Sequence, residues 1–212
     1  MVKTYSLLKD GDKQLSLHFK AREFRCHDGS DTILIADELI DLLEKIRKHF
    51  DKPVNVTSGY RTVTYNKACG GAPGSQHLTG KAADIIVQGI NPLQVCRYAE
   101  ILMPTAGGIG YYVNRFSHVD VRSLRARWKQ NKSGQANMAV SGFAMPVLKR
   151  GMMNNQTVQT LQLALIQKGY RITADGDFGT NTFNAVVDFQ RKKGLKVDGL
   201  VGNQTWLALD VV

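Results

Sequence analysis

No run of apolar residues in this 212-residue chain is long enough to cross a bilayer. Its opening stretch, Met1 to Asp10, also lacks the apolar core of a secretory leader. These absences predict a protein made in a host cytoplasm without a signal peptide, with no stable membrane insertion. Cysteine is scarce as well: Cys26, Cys69 and Cys96 are odd in number, widely spaced and contain no C-x-x-C pair. That excludes a disulfide framework and fits a reducing compartment. No H-E-x-x-H helix is present, and no G-x-S-x-G elbow exposes a serine nucleophile. Acidic residues are in deficit, 18 against 28 Lys and Arg, so the net charge is +10. Such an excess favours polyanions, either nucleic acid or an anionic cell wall. The chain has no recognised nucleic-acid motif and no aromatic residues interleaved with its basic ones, so nucleic acid is not the expected partner.

Against these absences stands one dense constellation, Ser75-Gln-His77-Leu-Thr-Gly80-Lys-Ala82-Ala-Asp84, followed by His118-Val-Asp120. Asp84 opens the apolar run Ile85-Ile86-Val87, which reads as a short buried strand. A carboxylate there is costly to desolvate unless it is paired or bound to a cation. Ser117 to Arg122 alternates like a half-buried strand, so His118 and Asp120 point to one face and Val119 and Val121 to the other. Taken singly, each residue has an ordinary structural explanation. As a set, two His and one Asp suit zinc in a three-ligand site with an open fourth position.

S-x-H-x-x-G-x-A-x-D with a later H-x-D resembles the zinc D-Ala-D-Ala carboxypeptidase family, the peptidoglycan peptidases of the LAS type. The resemblance takes in Phe19 to Cys26, Ser58-Gly59-Tyr60-Arg61-Thr62 and the strand Gly107 to Tyr112, and so covers about residues 18 to 128. It implies one zinc per chain held by His77, Asp84 and His118. It makes Arg61 a substrate or transition-state contact, with Ser75 and Tyr111 also on the substrate path. Many relatives place an acid three residues before the last His, but Arg115 stands there in this chain. Asp120 is the acid available in its place. It serves as general base, or orients a ligand His from behind, or simply pairs with Arg122; the base role is the expectation taken forward.

The fold class expected is an α+β catalytic domain, an antiparallel sheet with flanking helices, followed by a small all-α domain of three helices. Helical periodicity runs from Asp37 to Phe50 and again from about Pro92 to Leu102. Val54 to Thr57, Gly107 to Val113 and Phe116 to Arg122 read as strands. Residues 131–144, rich in Asn, Ser, Gly and Ala, read as a linker between a peptidase domain at 1–130 and a second domain at 145–212. That second domain contains a near-repeat, Asp175 to Phe183 and Asp198 to Trp206, each copy a Gly-containing turn before a helix start. Its D-G-x-x-G-x-x-T and A-V-x-x-F-Q patterns resemble the peptidoglycan-binding type 1 module. Together these imply a monomeric zinc peptidase that cuts peptidoglycan stem peptides and is tethered to the wall, as in a phage endolysin. Two other readings stay open: a non-catalytic wall-binding or virion protein, and a metal-dependent nuclease suggested by charge alone.

Overall fold

The computed structural model describes residues 1–131, 134–138 and 142–209, and these divide into two compact units, Met1–Phe143 and Ala144–Val212. In the first unit β1 (Val2–Ser6) leads through a helical turn, α1 (Leu7–Asp10), and later pairs antiparallel with β2 (Thr32–Ala36). The helix α2 (Asp37–Phe50) buries Leu39, Ile40, Leu42, Leu43 and Ile46 on one stripe. Asp37 and Glu38 lie in its first turn and Arg47, Lys48 and His49 in its last, each end complementing the helix dipole. It stops at Asp51, which takes the left-handed conformation (φ 49°) just before Pro53.

After β3 (Val54–Ser58), α3 (Val63–Ala68) is capped by the Thr62 hydroxyl, which accepts from the Tyr65 amide. Beyond β4 (Ala82–Val87), α4 (Pro92–Leu102) starts with Pro at N1 and a capping box between Asn91 and Gln94. Then come β5 (Gly108–Tyr112), β6 (Phe116–Asp120), β7 (Ala126–Asn131) and β8 (Gly134–Asn137). The order in the main sheet is β3-β4-β6-β5-β7-β8. Neighbours are antiparallel except β5 and β7, which run parallel.

Strand alternation divides the side chains of this sheet. Ala83, Ile85, Val87, Ile109, Tyr111 and Val119 face the core with Leu43, Ile46, Val95, Cys96 and Ala99 from α2 and α4. Burying each large aliphatic side chain there contributes about 1.5–3 kcal/mol. Asp84, Gly108, Gly110, Tyr112, His118 and Asp120 alternate with these and share the other face.

The expectation of a linker over 131–144 is corrected in its first part. Asn131 and Gly134–Asn137 belong to a β7–β8 hairpin, and Phe143 joins the core of the first unit. A polar edge strand needs backbone pairing more than apolar side chains, so composition did not reveal it. Residues 132, 133 and 139–141 of that stretch, and 210–212 of the expected second domain, lie outside the described residues.

The second unit consists of α5 (Gln156–Gln167), α6 (Thr180–Lys192) and α7 (Asn203–Ala208). Its core contains Leu148, Leu161, Leu165, Phe178, Val186, Phe189 and Trp206. Each turn of the near-repeat wraps a buried glutamine. Gln162 donates to Asp175, the Asp177 carbonyl and Thr182 while accepting from the Gly176 amide. Gln190 repeats the pattern with Asp198, the Leu200 carbonyl, Thr205 and the Gly199 amide. Gly176 and Gly199 adopt φ of 83° and 70°, which Asp-Gly turns accommodate. Phe183 is half-buried and carries the Arg150 guanidinium 5.7 Å above its ring.

Candidate metal centre

Register brings the cluster together. Asp84 on β4 pairs directly opposite His118 on β6, and Gly110 on β5 lies opposite His118 on its other side. His77 arrives from a separate 3₁₀ turn, Gln76–Thr79, which ends at Gly80 with φ 67°. A Cβ at Gly80 would fall 2.3 Å from the Leu34 carbonyl oxygen, so only glycine lets this turn press against β2. The Arg61 amide donates to the His77 carbonyl at 3.1 Å and ties the Arg61 loop to the same turn.

Three donor atoms converge. His77 Nε2 lies 3.2 Å from His118 Nδ1 and 3.3 Å from Asp84 Oδ1, and His118 Nδ1 lies 2.9 Å from Asp84 Oδ1. All three residues are buried. Tetrahedral coordination at bond lengths of about 2.0–2.1 Å places donor atoms roughly 3.3 Å apart, which the triangle matches closely. Both imidazoles are oriented from behind. His77 Nδ1 donates to the Gly59 carbonyl at 2.6 Å, and His118 Nε2 lies 3.0 Å from Asp120 Oδ2. These contacts hold each outer nitrogen as the N–H and turn the lone pair of the inner nitrogen toward the cluster.

The charges follow the same logic. Burial pulls His77 below an ordinary imidazole. Burial acts the same way on His118, but hydrogen bonds to Asp120 and Asp84 outweigh it and move His118 up. Burial alone would raise Asp84, yet the two imidazoles hold it well below the usual carboxylate range. Asp120 is likewise lowered against its burial, by His118 and Arg122.

Asp120 is wholly inaccessible. Its Oδ1 accepts from the Gly108 and Arg122 amides and from Arg122 Nε, and its Oδ2 from Arg122 Nη2. It therefore sits behind His118 and outside the cleft. A general base has to reach the proton it takes, so the expectation of Asp120 as base is corrected. Gly108 makes this packing possible, because a Cβ there would meet Asp120 Oδ2 at 2.0 Å.

The cluster forms the floor of a cleft of about 680 Å³. Arg61 and Ser75 line it, as expected. Arg61 Nε donates to Ser58 Oγ at 2.8 Å and Nη2 to Asp84 Oδ2 at 2.5 Å. Tyr111, expected on the substrate path, is instead buried in the hydrophobic core. Its neighbour Tyr112 lines the cleft. The correction is one of strand phase: Gly108 and Gly110 share the His118 face, so the next residue on that face is Tyr112. Sequence reasoning also missed Trp128, whose ring centroid lies 4.9 Å from that of His118. It pairs in register with Gly110, where a Cβ would strike the indole at 2.4 Å. The signal available was the alternation of glycines in Gly108-Ile109-Gly110, which marks a face approached closely by other groups.

The first unit is thus an α+β unit with a buried His/Asp/His cluster at a cleft floor, and a three-helix unit follows it in the chain. In comparison with known families, residues 17–120 match the family described as "Peptidase M15", and residues 154–209 match the family described as "Putative peptidoglycan binding domain". The chain is 36% identical over 92 residues to the "Probable N-acetylmuramoyl-L-alanine amidase" of Bacillus licheniformis, covering 42% of this chain and 26% of that protein. It is 37% identical over 82 residues to the "Probable peptidoglycan L,D-endopeptidase MepK" of Haemophilus influenzae, covering 36% of this chain and 42% of that protein. The chain thus spans less than half the length of either curated relative. Among solved structures, the Burkholderia AP3 phage endolysin shares 38% identity over 30% of this chain and 24% of its own, with a TM-score of 0.29. No helix among the described residues is long and apolar enough to cross a membrane.

Proposed function

We propose that this chain is a zinc-dependent peptidoglycan peptidase that cleaves amide bonds of stem peptides and contributes to lysis of a host wall. In this reading the domains divide the work. The first unit cuts, and the second holds it on the wall and raises the local substrate concentration. The observation that carries the proposal is the convergence of His77 Nε2, Asp84 Oδ1 and His118 Nδ1 at the cleft floor, within the segment that matches Peptidase M15.

These three residues are the proposed zinc ligands, in a donor set and at separations that suit that ion. Bound zinc supplies a Lewis acid that polarises a peptide carbonyl and lowers the pKa of a water to near neutral. Asp120 acts as a positioning residue, fixing the His118 ring so that Nδ1 faces inward. Arg61 is held by Ser58 and Asp84, and its guanidinium stabilises the oxyanion that develops when the scissile carbonyl is attacked. Trp128 walls the cleft beside His118 and limits water there.

Mass spectrometry of fragments released from purified peptidoglycan tests the reading and identifies the bond. Soluble stem fragments are expected, lost on chelation and restored by zinc. Undiminished wall lysis in a metal-free preparation, or plasmid cleavage with intact wall, would overturn it.

A further inference from the structure

The described lining of the cleft offers donors rather than bases. Asp84 is its only carboxylate and is already a proposed ligand, so developing negative charge is met by N–H and O–H groups. Arg61 is one of them. It spends Nε on Ser58 and Nη2 on Asp84, and only its Nη1 has no partner among the described residues. An oxyanion is held better by two fixed donors than by one.

Tyr112 is placed to be the second. On β5 the face shared with His118 carries Gly108 and Gly110, which have no side chain, so Tyr112 is the first side chain the strand sets there. Gly110 pairs directly opposite His118. Tyr112 follows two residues on, a step of about 6.8 Å along the strand that a tyrosine side chain is long enough to span. Its ring stacks on Phe116, the residue opposite it on β6, with centroids 4.1 Å apart and planes 18° from parallel. The stack fixes the ring without using the hydroxyl. Tyr112 lines the cleft with His77, Asp84, His118 and Arg61, and the charges of Asp84 and Arg61 both act on its phenol.

Trp128 supplies the orientation. Its ring lies against His118 and over Gly110, and its buried Nε1 makes no hydrogen bond among the described residues. That N–H is near enough to the Tyr112 oxygen to favour its ionised form, and a buried N–H without a partner seeks an acceptor. An indole N–H turned toward the phenol oxygen leaves the phenol O–H to point into the cleft. Burial first, and the Asp84 charge with it, raise Tyr112 above an ordinary phenol against the pull of Trp128, Arg61 and Arg115. The proton therefore stays on the oxygen at neutral pH.

We infer that Tyr112 is a catalytic residue whose hydroxyl donates a hydrogen bond to the scissile carbonyl oxygen as that oxygen gains negative charge, acting beside Arg61. The phenol keeps its proton throughout, and no covalent bond to Tyr112 is made or broken. The inference rests on the peptidase reading above and deepens it with a second donor at the same site.

The test is Tyr112→Phe in the full chain loaded with zinc, a change that keeps the ring and its stack on Phe116 and removes only the hydroxyl. The substrates are soluble stem fragments whose cut bond mass spectrometry has identified. On these, kcat should fall on the order of 100-fold while KM changes little, the pattern for a donor used only in the transition state. Zinc affinity, measured by titration with a competing chelator, should be unaltered. A phosphinate analogue of the same bond imitates the tetrahedral oxyanion. Calorimetry should find it bound correspondingly more weakly by the variant, while the product peptides bind both proteins equally. Unchanged turnover, or unchanged phosphinate affinity, overturns the assignment and leaves the peptidase reading standing. So does a rise in KM at constant kcat, which would make Tyr112 a platform for substrate. A loss of turnover that follows loss of zinc overturns it as well, because the role would then be structural. If the unaltered chain cuts neither soluble fragments nor purified wall, the peptidase reading fails and the assignment fails with it.

Discussion

The two units bury polar groups in opposite ways. In the first, the buried polar residues include His77, Asp84, Glu100, His118, Asp120 and Arg127, all of them ionisable. In the second they are Gln162, Thr182, Gln190 and Thr205, all neutral. Taking charges out of water costs several kcal/mol each even after relaxation, whereas a satisfied amide network roughly breaks even or gains. The first unit therefore carries an expense that packing alone does not call for, and it concentrates that expense around one cleft. The second unit uses the same glutamine-centred turn twice and, among the described residues, keeps no titratable group inside. Buried charge marks where chemistry is expected, and buried neutral polarity marks a scaffold.

The strongest way to break this comparison is to disturb the charged side. His118→Ala removes a proposed ligand and should abolish stoichiometric zinc binding and wall lysis together. Asp120→Asn is the sharper probe. It keeps the shape but weakens the hold on His118, so zinc affinity should fall roughly 10- to 100-fold, with activity largely recovered at high zinc. Metal titration with a competing chelator measures the first effect and turnover at saturating zinc the second. If turnover collapses while zinc stays bound, Asp120 acts on the reaction itself and the positioning role is wrong.

How much of this was legible beforehand differs between the units for physical reasons. The alternation in Ser117 to Arg122 placed His118 and Asp120 on one face because a strand has a period of two. It could not show that Asp120 lies behind His118, since that depends on which imidazole nitrogen faces Asp84 across the strand pair. Tyr111 and Tyr112 were separated only by strand phase, a difference of one residue that reverses the face. The β7–β8 hairpin was hidden by its polar composition, and with it Trp128, because the parallel pairing of β5 with β7 joins strands that are not consecutive in the chain. In the second unit the Asp-Gly turns and amphipathic helices were plain in the residues. The glutamines were not, because Gln162 lies 13 residues before Asp175 while Gln190 lies 8 before Asp198, so the repeat in space is not a repeat in spacing.

A smaller effect, on the neutral side, tests whether the second unit is only a scaffold. Gln190→Leu fits the volume but strands the Gly199 amide, while the Thr205 hydroxyl still donates to the Leu200 carbonyl. The expected cost is about 1–3 kcal/mol, the range for one buried group left unpaired. Thermal unfolding should show one transition lowered, with cleavage of small soluble stem fragments unchanged. A parallel fall in that cleavage would mean the two units do not work separately.

The smallest effect serves to locate the others. All three cysteines lie in the first unit, where Cys69 is exposed and Cys26 and Cys96 are buried. Burial pushes the Cys96 thiol up to about 12, so at neutral pH it is protonated as well as shielded, and the thiolate is the reactive form. Native protein at pH 7.5 should therefore take up one alkyl group per chain quickly, at Cys69, and the other two only on unfolding. Cys69→Ser should change stability by less than about 0.5 kcal/mol, as expected for a surface site, and remove the fast phase. Because the second unit contains no cysteine, the slow phase reports opening of the first unit alone. Mass-resolved alkylation of Gln190→Leu should then show Cys96 as protected as in the unaltered chain. Faster labelling of Cys96 in that variant would show that damage to the neutral network reaches the charged core, and the separation drawn between the two units would fail.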